Sequence, residues 1–133
     1  MQAQILNLLK DLQRELEISY LFVTHNISVV AYLADEVAVM YLGRIVEQGT
    51  VDDILNRPQH PYTQALLSAV PLVEAEGGRE VIRLEGDMPS PANPPSGCHF
   101  HPRCPHAMDA CRRDYPQWHD MHDEHRVRCF LMQ

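Results

Sequence analysis

A chain of 133 residues with 45% apolar side chains is long and apolar enough to bury a core of its own, which excludes a disordered segment. Its formal charge of −7 argues against a nucleic-acid partner, because phosphate recognition needs a basic surface. No stretch approaches the roughly 20 apolar residues that a bilayer-spanning helix needs, and the start lacks the basic and apolar regions of a secretory signal. A cytosolic setting is therefore expected, in which the four cysteines serve as thiols, ligands or redox groups rather than disulfides.

Ile5, Leu8, Leu9, Leu12 and Leu16 recur at helical spacing and predict an amphipathic helix over residues 2–16. Tyr20 to Val23 is a short aromatic and β-branched run, predicting a strand buried on both faces, as in a parallel sheet. Thr24, His25 and Asn26 end it. Val29, Val30, Leu33 and Ala34 predict a short second helix. Val37 to Leu42 and Arg44 to Gln48 read as strands joined at Leu42-Gly43, with Gly43 free to take a positive φ. Thr50 and Asp53 have the spacing of a capping pair on a helix over residues 51–56, which Pro58 stops; Pro61 suits the first turn of the next helix. Helices alternating with strands imply an α/β unit, yet this sheet is too small to be self-sufficient.

All ten prolines lie from Pro58 onward and all four cysteines from Cys98 onward. The shift predicts three parts: 1–70 with the α/β elements and a helical tail, a Pro-rich linker over 71–97, and a small irregular Cys/His/Pro-rich lobe over 98–133. Pro89, Pro91, Pro94 and Pro95 are expected to hold an extended path. Cys98, Cys104, Cys111 and Cys129 have the spacing C-x5-C-x6-C-x17-C. Four thiolates can hold a 4Fe-4S cluster or a tetrahedral zinc, and reduced cysteines can also simply fill a core. The spacing has neither the C-x2-C knuckles of zinc ribbons nor the C-x2-C-x2-C run of ferredoxins. A metal staple would offset the tail's meagre aliphatic core.

His99, His101, His106, His119, His122 and His125 crowd the same tail. They offer zinc ligands beside the cysteines, but the plainer expectation is a solvated, partly protonated surface. No H-E-x-x-H pattern points to a hydrolase. Arg112, Arg113, Arg126 and Arg128 are offset by Asp109, Asp114, Asp123 and Glu124. Tyr115 and Trp118 read as packing anchors, and His60 with Tyr62 as residues fixing the tail against the first part.

The run YLFVTHNISVVAYLADEVAVMYLGRIVEQGT (residues 20–50) resembles the end of an ABC-transporter nucleotide-binding domain. HPYTQALLSAVP (60–71) and LEGDMPSPANPPSGCHFHPRCP (84–105) resemble, more narrowly, the C-terminal extension of the ATP-binding subunits of bacterial oligopeptide and dipeptide importers. The resemblance implies the C-terminal part of an ABC-type domain, an incomplete sheet with helices, lying peripherally on the cytoplasmic face of the cell membrane. Intact relatives are expected to take ATP and Mg2+, to pair with a second ATP-binding subunit, and to drive membrane permease subunits that import peptide. His25 matches the family's switch histidine, which bonds the γ-phosphate and orients the attacking water; Asn26 stands where the family usually has Asp. The one lysine, Lys10, follows no G-x-x-x-x-G-K-[ST] loop, and no signature or Walker B segment precedes it. The chain alone is therefore expected neither to bind nor to hydrolyse ATP. In the family the cysteine set is a 4Fe-4S site in at least some members, with zinc as the alternative, so Cys98, Cys104, Cys111 and Cys129 are the candidate ligands. Competing readings are a stand-alone metal or iron–sulfur module with a redox or interaction role, and a homodimer formed through unpaired sheet edges.

Overall fold

The computed structural model describes residues 2–70, 80–122 and 124–133. Residues 71–79, the first part of the expected linker, lie outside the described residues. The chain divides into two compact units, one ending at Asp35 and one beginning at Glu36.

The first unit holds helix α1 (Gln2–Leu16) and helix α2 (Ile27–Leu33), both where the apolar periodicity puts them. Their contacts include two through Tyr32: its hydroxyl bonds Asn7, and the Lys10 ammonium lies 4.2 Å from the centre of its ring. Asn26 caps α2, its side-chain oxygen accepting the amides of Ser28 (3.0 Å) and Val29 (3.4 Å). The strand expected over Tyr20–Val23 does not form: residues 18–24 carry no regular structure. A strand needs a neighbour to receive its amides and carbonyls, and none among the described residues pairs with this run. Leu21 is 96% and Val23 91% exposed.

The second unit is built on a hairpin, β1 (Glu36–Tyr41) and β2 (Arg44–Thr50), closed by Leu42 and Gly43 at φ 42° and 77°. Two successive positive φ values give the turn whose twist suits an antiparallel pair. Thr50 then caps α3 (Val51–Asn56) in a reciprocal capping box with Asp53. Pro61 opens α4 (Pro61–Ser68), which His60 caps by accepting the Tyr62 amide on Nδ1 at 3.1 Å. Further on come a short 3-10 turn (His101–Arg103), α5 (Asp109–Arg113), β3 (His119–His122), β4 (His125–Val127) and a closing 3-10 turn (Phe130–Met132). The run after Pro89 is not wholly extended, because Asn93 donates back to the Ser90 carbonyl in a tight turn.

The four strands form one sheet in the order β1-β2-β4-β3, every pairing antiparallel. The parallel pairing expected of Tyr20–Val23 is therefore not seen among the described residues, since that run forms no strand. The tail thus shares a sheet with residues 36–50, with Gln48 opposite Arg126 and Glu47 opposite Val127. Val39, Tyr41, Val46, Ile54 and Phe100 form the core, with Tyr62 and Leu66 packed on it. Phe100, from the cysteine-rich segment, stacks edge-on to Tyr41 at 5.2 Å and lies 5.5 Å from Tyr62. His60 and Tyr62 therefore do anchor the tail, through this aromatic cluster.

Candidate functional site

Cys98, Cys104, Cys111 and Cys129 come from four separate segments and line one small pocket together with His101 and Pro116. None forms a disulfide. Gly97, at φ 65°, makes the convergence sterically feasible: a Cβ there would stand 2.4 Å from the Cys111 carbonyl oxygen. With no side chain at 97, the Cys98 amide donates to that same oxygen at 2.8 Å. Burial raises the thiol pKa of Cys98, Cys104 and Cys129, the last to about 11, and repulsion among the four sulfurs adds to it. Backbone hydrogen bonds oppose this: Phe100 to Cys98, His106 to Cys104 and Leu131 to Cys129, each two residues downstream of its cysteine. The Met108 amide reaches Cys111 Sγ at 3.5 Å. Amides aimed at sulfur stabilise thiolate, the form that ligates metal.

A second cluster lies on the sheet. Glu47, fully buried, accepts the amides of Gln59 (2.7 Å) and His60 (3.0 Å) and the Nε2–H of buried His125 (2.8 Å). Asp53 meets Thr50, Arg57 (2.7 Å) and His122 Nε2 (3.3 Å). The Thr50 hydroxyl holds the Asp53 carboxyl below its ordinary pKa of 3.8; burial opposes, and Arg57 and the two histidines assist. The tail histidines are thus not simply a solvated surface. His125 is an internal partner of Glu47, while His99 and His101 bond the carbonyls of Leu42 and Cys98. Sequence reasoning passed over Glu47, Asp53 and His125 as a group. The available signal was period-2 spacing: His125, Val127 and Cys129 alternate onto one face, and all three are buried.

His25 is exposed between Thr24 and Asn26, in a turn where the Asn26 amide donates to the Thr24 hydroxyl at 3.0 Å. Asn26 has a local role here, that of helix cap. Trp118 and Tyr115 pack against arginines: Arg126 and Arg128 lie 4.7 and 4.5 Å from the Trp118 ring, and Arg44 lies 4.9 Å from Tyr115.

Residues 46–111 match the family model described as oligopeptide/dipeptide transporter, C-terminal region. Over these residues the chain belongs to this family. It is 52% identical over 129 residues to the dipeptide transport ATP-binding protein DppF of Haemophilus influenzae, an alignment covering 97% of this chain and 39% of that protein. It is 53% identical over 131 residues to the DppF protein of Escherichia coli, covering 98% of this chain and again 39% of that protein. The chain thus spans about two fifths of the length of these relatives. The matched region holds His60, Tyr62 and Phe100 of the aromatic cluster and three of the four cysteines, and the relatives' names lend no support to a stand-alone metal-binding module. No helix among the described residues is long and apolar enough to cross a membrane.

Proposed function

We propose that this chain is part of an ATP-binding subunit that energises peptide import, peripheral on the cytoplasmic face of the membrane and working with permease subunits and a second ATP-binding subunit. The observation that carries this is the 52% identity, across nearly the whole chain, to a dipeptide transport ATP-binding protein. Within that subunit His25 acts as the switch residue, since an exposed imidazole beside a bound nucleotide can donate to the charge that develops on the γ-phosphate. The chain has no phosphate loop, so ATP and Mg2+ bind only where the rest of such a subunit is present.

The test is a chimera in which this chain replaces the aligned part of the Haemophilus DppF protein. It is expected to hydrolyse ATP and to support dipeptide uptake with the cognate permeases. His25→Ala is expected to lower its turnover by about 10²–10³, as loss of a preorganised donor does. A folded chimera that binds ATP but carries no dipeptide, or a His25→Ala chimera with undiminished turnover, overturns the reading.

The cysteine quartet is read as the ligand set of a 4Fe-4S cluster, which supplies redox or structural chemistry when bound. A zinc tetrathiolate, with Zn–S near 2.3 Å, holds its sulfurs about 3.8 Å apart. A 4Fe-4S cluster takes four cysteine thiolates at its irons, and all four cysteines line one small pocket. Anaerobically purified protein is expected to carry iron and sulfide in near-equal amounts. Metal analysis finding neither, with four alkylatable thiols, ends that assignment.

A further inference from the structure

A second metal site is suggested away from the cysteines. We infer that Asp53, His122 and His125 form a three-ligand site for a borderline divalent cation such as Zn2+, and that the ion ties the β3–β4 hairpin to the start of α3. The ligand atoms of these three residues lie within 4.8 Å of one another, and among the described residues they are the one such group of His, Cys, Asp or Glu. His122 and His125 are cross-strand partners at the end of the hairpin, their rings 5.3 Å apart and nearly perpendicular. Two imidazoles and one carboxylate suit zinc and its neighbours in the first transition row, not Mg2+ or Ca2+, which call for oxygen ligands.

The surroundings are arranged as an outer shell. Glu47 accepts from His125 Nε2, so that nitrogen carries the proton and Nδ1 is the one left to ligate. A buried carboxylate behind a histidine is the arrangement that orients metal-bound imidazoles and raises their basicity. Asp53 is held by Thr50 through Oδ2 (2.7 Å), which leaves Oδ1, the oxygen facing His122 Nε2, as the ligand atom. Arg57 now sits on Oδ1 but also reaches Asp52 at 3.1 Å through the same guanidinium nitrogen, so it has a partner to retain when an ion takes its place. Gly49 supplies the room: a Cβ there would stand 3.2 Å from both the Asp53 Cβ and the His125 Cδ2. The His122 side chain is 43% exposed, so an ion has an entry path and a fourth position open to water.

The experiment uses the full chain, stripped of metal and labelled with 15N in its histidines, titrated with Zn2+ at pH 7.5 while the imidazole nitrogens are followed by NMR. The expected result is a saturable shift of the His122 and His125 resonances, with ligation at Nδ1 of His125. His122→Gln, a change at an exposed position, is expected to remove the His125 shift at the Zn2+ concentration that saturates the unaltered chain, the shift returning only at higher Zn2+. It is also expected to weaken the affinity read at His125 at least as much as loss of an outer-shell partner does, about ten- to hundredfold. Zn2+ uptake that leaves both histidines unmoved, including uptake by the cysteines alone, overturns the proposal. So does a His122→Gln chain whose His125 still shifts at the original Zn2+ concentration.

Discussion

His60 is 1% exposed, and burial depresses its imidazole from an ordinary pKa of 6.5 to about 4. Its Nδ1 accepts the Tyr62 amide as the cap of α4, so the native state needs that nitrogen unprotonated. The unfolded chain protonates His60 near pH 6.5, whereas the folded chain resists until about pH 4. Between those values the unfolded state binds more protons, and stability must fall as pH falls. The difference corresponds to about 3 kcal/mol lost across that window. Urea unfolding at a series of pH values should show the decline. His60→Asn keeps an acceptor at the cap and removes the titration. It is expected to lower stability at pH 7, through lost packing against Phe100, and to flatten the slope between pH 6.5 and 4. An unchanged slope would assign the acid sensitivity to other groups.

Elements that depend on neighbours in sequence were legible; those that depend on distant partners were not. The Thr50–Asp53 capping box, the Leu42-Gly43 turn and Pro61 at the start of α4 are each settled within four residues, and all three stand in the structure as the residue types require. β3 and β4 gave no such signal. They are four and three residues long and rich in histidine and charge; β4 is held by pairing with β2 across more than seventy residues of chain, and β3 only through β4. The four cysteines could be grouped by composition, but their meeting rests on the segment at Gly97. Ser96 and Cys98 satisfy the last carbonyls of α5, through Ser96 Oγ to Arg112 (3.0 Å) and the Cys98 amide to Cys111 (2.8 Å). Gly97→Ala would place a methyl against the Cys111 carbonyl while forcing alanine to a positive φ. The backbone term alone costs about 1–3 kcal/mol. The expected outcome is a lower urea midpoint together with faster alkylation of Cys98 and Cys111. Gly43→Asn is the control: that residue is also at positive φ, but nothing lies within 4 Å of its Cβ position and asparagine suits the turn, so its midpoint should stay within error.

At the scale of the whole molecule, the run Tyr20–Val23 has a strand's composition and no strand partner among the described residues. Leu21 and Val23 lie almost fully in solvent, and Phe22 is 51% exposed. A contiguous apolar segment of this kind marks a surface that something else covers. The chain spans about two fifths of its relatives' length; we propose that in a subunit of that length residues outside this chain cover the run and that it completes a sheet there. This separates two contexts experimentally. In the isolated chain, Leu21→Asp with Val23→Asp removes no buried area and should change the unfolding midpoint by no more than the roughly 0.5 kcal/mol typical of surface substitutions. In the DppF chimera the same pair would bury two carboxylates without partners inside a sheet, and the expected result is aggregation or loss of ATP hydrolysis. A chimera that tolerates both aspartates with full turnover would show that the segment stays at the surface in the longer protein. A marked loss of stability in the isolated chain would show that the segment is already packed there.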